Sequence, residues 1–175
     1  MPVLPAHRIA RSGVGRTYQI PRPFRRLTVL ENVALYATFG TAGLDRAAAE
    51  RSALHWLRFV GLGDRAHSLP LELNLHQRKF LELARALASG ARLILLDEII
   101  AGLTPAEITN AIALIRRIQS DGATIIFVEH NMRAVQALAD RVVVLNYGKV
   151  IAGGLPRDVM AHPEVVAAYL GQGHA

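Results

Sequence analysis

The chain has 175 residues, 51% of them hydrophobic, with a formal net charge of +6 and no cysteine. That length and apolar content suffice for a buried core and exclude a short peptide or a disordered tail. The lack of cysteine excludes a disulfide framework and thiolate chemistry and is compatible with a reducing cytoplasm. The charge favours nucleic acid, anionic lipid or phosphate ligands without choosing among them. No apolar run reaches the roughly 20 residues of a membrane span, and MPVLPAHRIARSG is too short in apolar residues for a signal peptide, so a soluble chain is expected.

In chain order, Met1 to Thr28 reads as an extended or turning connector, because Pro21 and Pro23 bracket Arg22 in QIPRPFRR and each proline fixes its φ and lacks an amide donor. TVLENVALYA predicts a helix, with Thr28 as cap and Glu31 three residues on, as in a capping box. A second amphipathic run spans Arg46 to Val60. A third spans Leu75 to Ala88, where Phe80, Leu83, Ala84 and Leu87 form the apolar stripe and Arg78, Lys79 and Glu82 are expected to face outwards. RLILLD predicts a strand apolar on both sides, the pattern of a parallel sheet covered by helices on both faces. The alternation then repeats: a helix from Pro105 to Gln119, the strand ATIIFV, a helix from Met132 to Leu138, the strand RVVVLN, a hairpin through NYGKVIAGG and a short helix in HPEVVAAYL.

Asp97 and Glu98 leave the C-terminal end of a buried strand, where open parallel sheets place their ligands. One carboxylate there can hold Mg²⁺ while its neighbour orients a water, a division of labour suited to phosphoryl transfer; equally, two polar residues can simply end a strand. His130, just past the next strand, can accept and donate at once while neutral, although a lone histidine is more often structural. Gln19 follows Gly13 and Gly15 and is able to bind a metal-coordinated water, or to be a surface turn. Glu129 reads as a surface or supporting residue. Arg22, Arg25 and Arg26 form the densest basic patch, without the aromatic interleaving that base stacking needs, and the remaining histidines are not spaced as a zinc set.

Taken together, GVGRTYQIPRPFRRLTVLENV, LNLHQRKFLELARALA, LILLDE, AGLTP and VEHNM resemble the ATP-binding subunits of ABC transporters, of the branched-chain amino acid importer type. The resemblance covers nearly the whole chain. It implies an α/β fold, an incomplete P-loop NTPase-like parallel sheet with a helical subdomain. Gln19 would be the Q-loop glutamine, near metal and nucleotide. Asp97 would be the metal-side Walker B aspartate, Glu98 the water-polarising glutamate, Ala101 to Thr104 the D-loop and His130 the switch histidine. Implied ligands are ATP and Mg²⁺. Implied partners are membrane-spanning permease subunits and a homo- or heterodimer of ATP-binding subunits, giving peripheral association with the inner face of the cell membrane, with Phe24 and Leu27 as apolar contacts. No specific nucleic acid is implied.

Two departures accompany the match. No G-x-x-G-x-G-K-[ST] phosphate loop occurs, and Gly13 and Gly15 are followed by no Lys-Ser or Lys-Thr and preceded by no evident strand. The signature segment falls on Leu73, Asn74, Leu75, His76 and Gln77, so that Asn74, His76 and Gln77 become nucleotide-binding candidates with a ring where the family has glycine. Ile99 stands where a proline commonly follows the glutamate. The expected organisation is residues 1–28 as connector and core remnant, 29–88 as helical and signature region, and 89–175 as the α/β core with a C-terminal hairpin and helix. The sequence thus predicts impaired ATP turnover and exposed apolar strand surface. The alternative readings are a non-catalytic transporter-interaction module or truncated, inactive relative, and, from charge alone, a nucleic-acid module.

Overall fold

A computed structural model describes residues 4–170 of the chain, which divides into two compact units, Met1–Glu129 and His130–Ala175. In the first unit, α1 (Ala6–Arg11) leads into β1 (Val14–Arg16). This corrects the expected connector: a short helix and a strand occupy part of it, the helix preceding Gly13 and the strand containing Gly15. With one branched apolar residue in three, β1 carries almost no strand signal. A Cβ on Gly15 would lie 2.9 Å from the Cβ of Ala91 and 3.3 Å from that of Ala86, so the glycine allows close packing of backbone against the segment around α4 (Leu75–Ala88).

The helical layer consists of α2 (Val29–Phe39), α3 (Arg46–Phe59) and α4. Val29, Val33 and Ala37 on α2 and Ala49, Ala53 and Leu57 on α3 form buried i, i+4 stripes, whose small residues let the two helices approach closely. Both pack on α4. The last ten residues of α4, Lys79 to Ala88, are buried on every side. That overturns the expected outward face: Lys79 and Glu82 are 5% and 4% exposed, because α4 is the central helix of the layer rather than a surface one.

Next come β2 (Leu93–Asp97), α5 (Pro105–Ser120) and β3 (Thr124–Val128). The three strands form a parallel sheet in the order β1-β2-β3, with Val14 beside Leu93, Leu93 beside Thr124 and Asp97 beside Val128. Ile94 and Leu96 of β2 are buried, but Ile126 and Val128 of β3 are 54% and 62% exposed. The two-sided covering inferred for RLILLD therefore does not extend to β3, and apolar side chains are also exposed on the strands of the second unit, as at Val143 and Val150.

In the second unit, α6 (Met132–Leu138) precedes the antiparallel strands β4 (Val142–Asn146) and β5 (Lys149–Gly154). Tyr147 and Gly148 both have positive φ, 45° and 75°, in the two-residue loop between paired Asn146 and Lys149, as the twist of a tight hairpin requires. Then α7 (Pro156–Met160) and α8 (Pro163–Val165), continued by a wide turn over Val166–Leu170, supply Val159 and Val165 to the core with Ala134, Val135 and Leu138 of α6.

Capping boxes fix three helix starts. Thr28 and Glu31, Asn74 and Gln77, and Thr104 and Glu107 each exchange side-chain and backbone bonds. The Thr28 backbone N–H and hydroxyl hold the Glu31 carboxyl below its ordinary range, and those of Thr104 do the same for Glu107, aided by His76. A carboxylate with a lowered folded pKa stabilises the protein above its unfolded value and ceases to do so as pH falls through the folded one. A Glu31→Gln, Glu107→Gln double variant retains the capping geometry, so its urea-unfolding stability should fall less steeply than the parent's below about pH 4.3.

Candidate functional site

The site is built at the C-terminal end of β2. Asp97 is the last strand residue, and its amide reaches the Thr17 hydroxyl at 3.3 Å while the Thr17 amide donates to the Leu95 carbonyl at 2.9 Å, which carries the chain beyond β1 alongside β2. Arg16 Nη2 lies 3.5 Å from Asp97 Oδ2, a solvent-exposed pair worth little energetically. Glu98 follows with its amide donating to the Val128 carbonyl at 3.0 Å and with φ of 45°, a left-handed conformation that glutamate adopts at a cost of about 1–2 kcal/mol. Gln19 Nε2 donates to Glu98 Oε2 at 2.5 Å across 79 residues of sequence. Gln19, Asp97 and Glu98, three candidates from two segments far apart in sequence, thus lie in one place.

The turn after Glu98 is held from below and from beside. Ala101 N–H closes it on the Glu98 carbonyl at 3.2 Å, and Lys79 Nζ, from α4, donates to the Glu98 and Ala101 carbonyls at 2.8 and 2.7 Å. Glu129 Oε1 accepts from the Ile100 amide at 3.1 Å, which gives that residue the supporting role. Burial lowers the Lys79 pKa, while the carboxylates of Glu129 and Glu98 act in the opposite direction. Ile99 and Ile100 are buried beneath the turn, so the isoleucine after Glu98 is a packing residue.

Asn74 and Gln77 are engaged at the start of α4: Asn74 Oδ1 accepts from the Gln77 amide at 2.8 Å and Gln77 Oε1 from the Asn74 amide at 3.0 Å. His76 Nδ1 lies 3.0 Å from Glu107 Oε1 on α5, and its ring stands edge-on to Phe80 with centroids 4.4 Å apart. The imidazole thus bridges the starts of α4 and α5. His130 is exposed and opens the second unit, two residues after β3 ends.

Sequence reasoning missed the polar groups that support this site. Arg85, 3% exposed, pairs through Nη1 with Glu82 Oε1, donates to Tyr36 Oη at 2.6 Å and to the Arg22 carbonyl at 3.2 Å, and lies 4.3 Å above the Tyr36 ring. The Arg22 amide returns a bond to Glu82 Oε1 at 3.2 Å. Burial raises the Glu82 pKa, with Arg85 opposing the shift. Asn32, fully buried, accepts from the Phe24 amide at 2.8 Å and donates to the carbonyls of Phe24, Leu27 and Thr28 at 2.9 to 3.1 Å. The Pro-flanked loop is thereby fastened to α2 and α4. The i, i+3 spacing of Glu82 and Arg85 was the only sequence signal for this network.

Among the described residues no cluster of three or more His, Cys, Asp or Glu side chains forms a metal cage, and no helix is long and apolar enough to cross a membrane. Adjacent Asp97, Glu98 and the Gln19 amide form a hard-oxygen set that fits Mg²⁺ of the kind that keeps waters and shares substrate phosphates, which needs one or two carboxylates rather than a full cage.

Paired carboxylates at a parallel-strand end, a glutamine reaching one of them and a helical layer beside the sheet define the class of ATP-binding cassettes. Comparison with known proteins agrees. The ABC transporter family matches residues 3–101, and the Branched-chain amino acid ATP-binding cassette transporter family matches residues 149–175. The high-affinity branched-chain amino acid transport ATP-binding protein BraF of Pseudomonas aeruginosa is 38% identical over 183 residues, an alignment covering 97% of this chain and 72% of that protein. Among solved structures, the ADP conformation of MJ1267, an ATP-binding cassette of an ABC transporter, superposes with a TM-score of 0.77 at 26% identity over 95% of this chain and 71% of that one. The dimeric post-hydrolysis state of the cassette MJ0796 bound to ADP and Pi gives 0.76 at 26% identity, covering 85% and 65%. The chain belongs to the ABC transporter ATP-binding family, in its branched-chain amino acid group.

Proposed function

We propose that this chain is the ATP-binding subunit of a branched-chain amino acid importer, and that Glu98 polarises the water that attacks the terminal phosphate. The carrying observation is the Gln19 to Glu98 hydrogen bond beside Asp97. Accepting a bond from the Gln19 amide orients one carboxylate oxygen of Glu98 and leaves the group able to accept from water. Asp97 would hold Mg²⁺ together with the nucleotide phosphates, and Gln19 would sense that ion through a water. Mg²⁺ supplies charge neutralisation at the phosphates when bound. His130 serves as the switch residue for the terminal phosphate in this reading.

Transport requires that events at Glu98 reach a membrane partner. Gln19 is two residues from Pro21, and the loop it enters is tied to α2 and α4 through Asn32, Glu82 and Arg85, so the same segment meets the carboxylate and carries exposed Phe24 and Ile20, with Leu27 half-buried beside them in sequence. These residues support contact with a permease subunit and peripheral attachment at the cytoplasmic face of the membrane. Pairing with a second ATP-binding subunit is supported by the dimeric state of MJ0796. The region Asn74 to Gln77 would meet the second nucleotide. His76, committed to Glu107 and Phe80, keeps its ring against its own subunit rather than extended from α4.

Calorimetry on two polypeptides tests the reading. The 175-residue polypeptide carries the carboxylates but no phosphate loop in its sequence, so it should bind MgATP weakly and turn it over poorly. The same chain preceded by a compatible phosphate-loop segment should bind at least about tenfold more tightly, equivalent to about 1.4 kcal/mol. Equal affinity of the two polypeptides would count against a site that relies on such a loop.

A further inference from the structure

We infer that Lys79 is the positioning residue for Glu98: from the central helix it clamps the turn that aims the Glu98 carboxylate at Gln19. This rests on the proposed role of Glu98. Lys79 is buried to 5% exposure, an arrangement a lysine adopts only with compensating partners, and every partner is part of this turn or beside it. Its ammonium spans the first and last carbonyls of Glu98–Ala101, at 2.8 and 2.7 Å, while Glu129 takes the Ile100 amide between them at 3.1 Å. A cation from α4 and a carboxylate at the end of β3 thus grip opposite polarities of one four-residue turn.

The turn needs such a grip. Glu98 sits at φ of 45°, where a side chain other than glycine is disfavoured, and the 2.5 Å bond from Gln19 depends on that backbone conformation because it sets the direction of the Glu98 side chain. A relaxed turn would return Glu98 to ordinary φ and swing its carboxylate off the Gln19 amide. The ammonium offers three donors and needs only two for the carbonyls, and the negative charges of Glu98 and Glu129 offset part of its desolvation. A neutral apolar side chain of similar length fills the same space and leaves both carbonyls without the cation.

The test uses the 175-residue protein and NMR of the Gln19 side-chain amide and the Glu98 backbone amide in the parent, Lys79→Met, Lys79→Gln and Lys79→Arg proteins. In Lys79→Met the Gln19 resonances should move to the positions of a solvated primary amide and the Glu98 amide should shift, with far-UV circular dichroism unchanged. Lys79→Arg should restore most of the parental positions. Lys79→Gln, too short to span both carbonyls, should resemble Lys79→Met, and it provides the reading if the methionine variant does not fold. In the chain joined to a phosphate-loop segment, Lys79→Met should lower kcat about tenfold or more with KM little changed, since misplacing a catalytic group acts on the reacting geometry. Parental Gln19 and Glu98 resonances in a folded Lys79→Met or Lys79→Gln protein would overturn the positioning role. Loss of the Glu98 reading is recognised separately, as full turnover by Glu98→Gln, which the resonances of the Lys79 variants cannot produce.

Discussion

Arg85→Met should destabilise the protein by about 3–5 kcal/mol, because it leaves the Glu82 carboxylate buried without its counter-charge. That is a large part of the roughly 5–15 kcal/mol that holds a typical domain folded. The Arg85 guanidinium also satisfies Tyr36 Oη and the Arg22 carbonyl, so the loss reaches α2 and the Pro-flanked loop as well as α4. The pH dependence identifies the cause. The Glu82 pKa is already raised by burial, and a raised folded pKa stabilises the protein below the unfolded value and loses that contribution as pH rises through the folded one. Removing Arg85 raises it further. Urea unfolding of Arg85→Met should therefore show a deficit that is largest near neutral pH and shrinks on acidification through the carboxylate range. Adding Glu82→Gln should recover part of it at neutral pH. A deficit independent of pH, with no recovery in the double variant, would place the cost in lost packing instead.

The second large effect is catalytic. In the chain joined to a phosphate-loop segment, Glu98→Gln should lower ATP turnover about 10²- to 10⁴-fold, the range over which a positioned proton acceptor acts. MgATP affinity should change little, because Asp97 remains beside it and the new amide is nearly isosteric. Phosphate release against calorimetric affinity separates the two quantities. Turnover within a few-fold of the parent would sink the assignment of Glu98, whereas joint loss of binding and turnover would place Glu98 in nucleotide retention.

The regular elements were legible wherever local chemistry determines structure. Thr28 with Glu31 announced the start of α2, the apolar stripe fixed α4 at Leu75–Ala88, and the unbroken LILLD run located β2, because caps and periodicity act over a few residues. Asp97, Glu98 and Gln19 were legible as candidates through family pattern, which also brought Gln19 and Asp97 to one metal, but the direct bond between Gln19 and Glu98 was not visible, since it joins segments 79 residues apart. Lys79 and Glu82 were misplaced for a related reason. On a helix wheel a charged residue beside an apolar stripe reads as solvent-facing; the i, i+3 spacing pairs Glu82 with Arg85, but nothing local reveals that the pair is buried or that the carbonyls of Glu98 and Ala101 and the Arg22 amide stand ready to receive Lys79 and Glu82. The strand β1 escaped notice because Val-Gly-Arg has no alternation to read, and its place is set by Leu93, Ile94 and Leu95 alongside it.

Asn32 gives the Pro-flanked loop a mechanical character. Its amide group makes four hydrogen bonds to the main chain between Phe24 and Thr28, so that stretch of loop has little freedom to slide over α2 without breaking several bonds at once. With Arg85 fastening the Arg22 carbonyl to Tyr36, the loop is held to the same helix at a second point. A load applied at Phe24 therefore falls on Asn32, and so on α2, rather than on the loop alone.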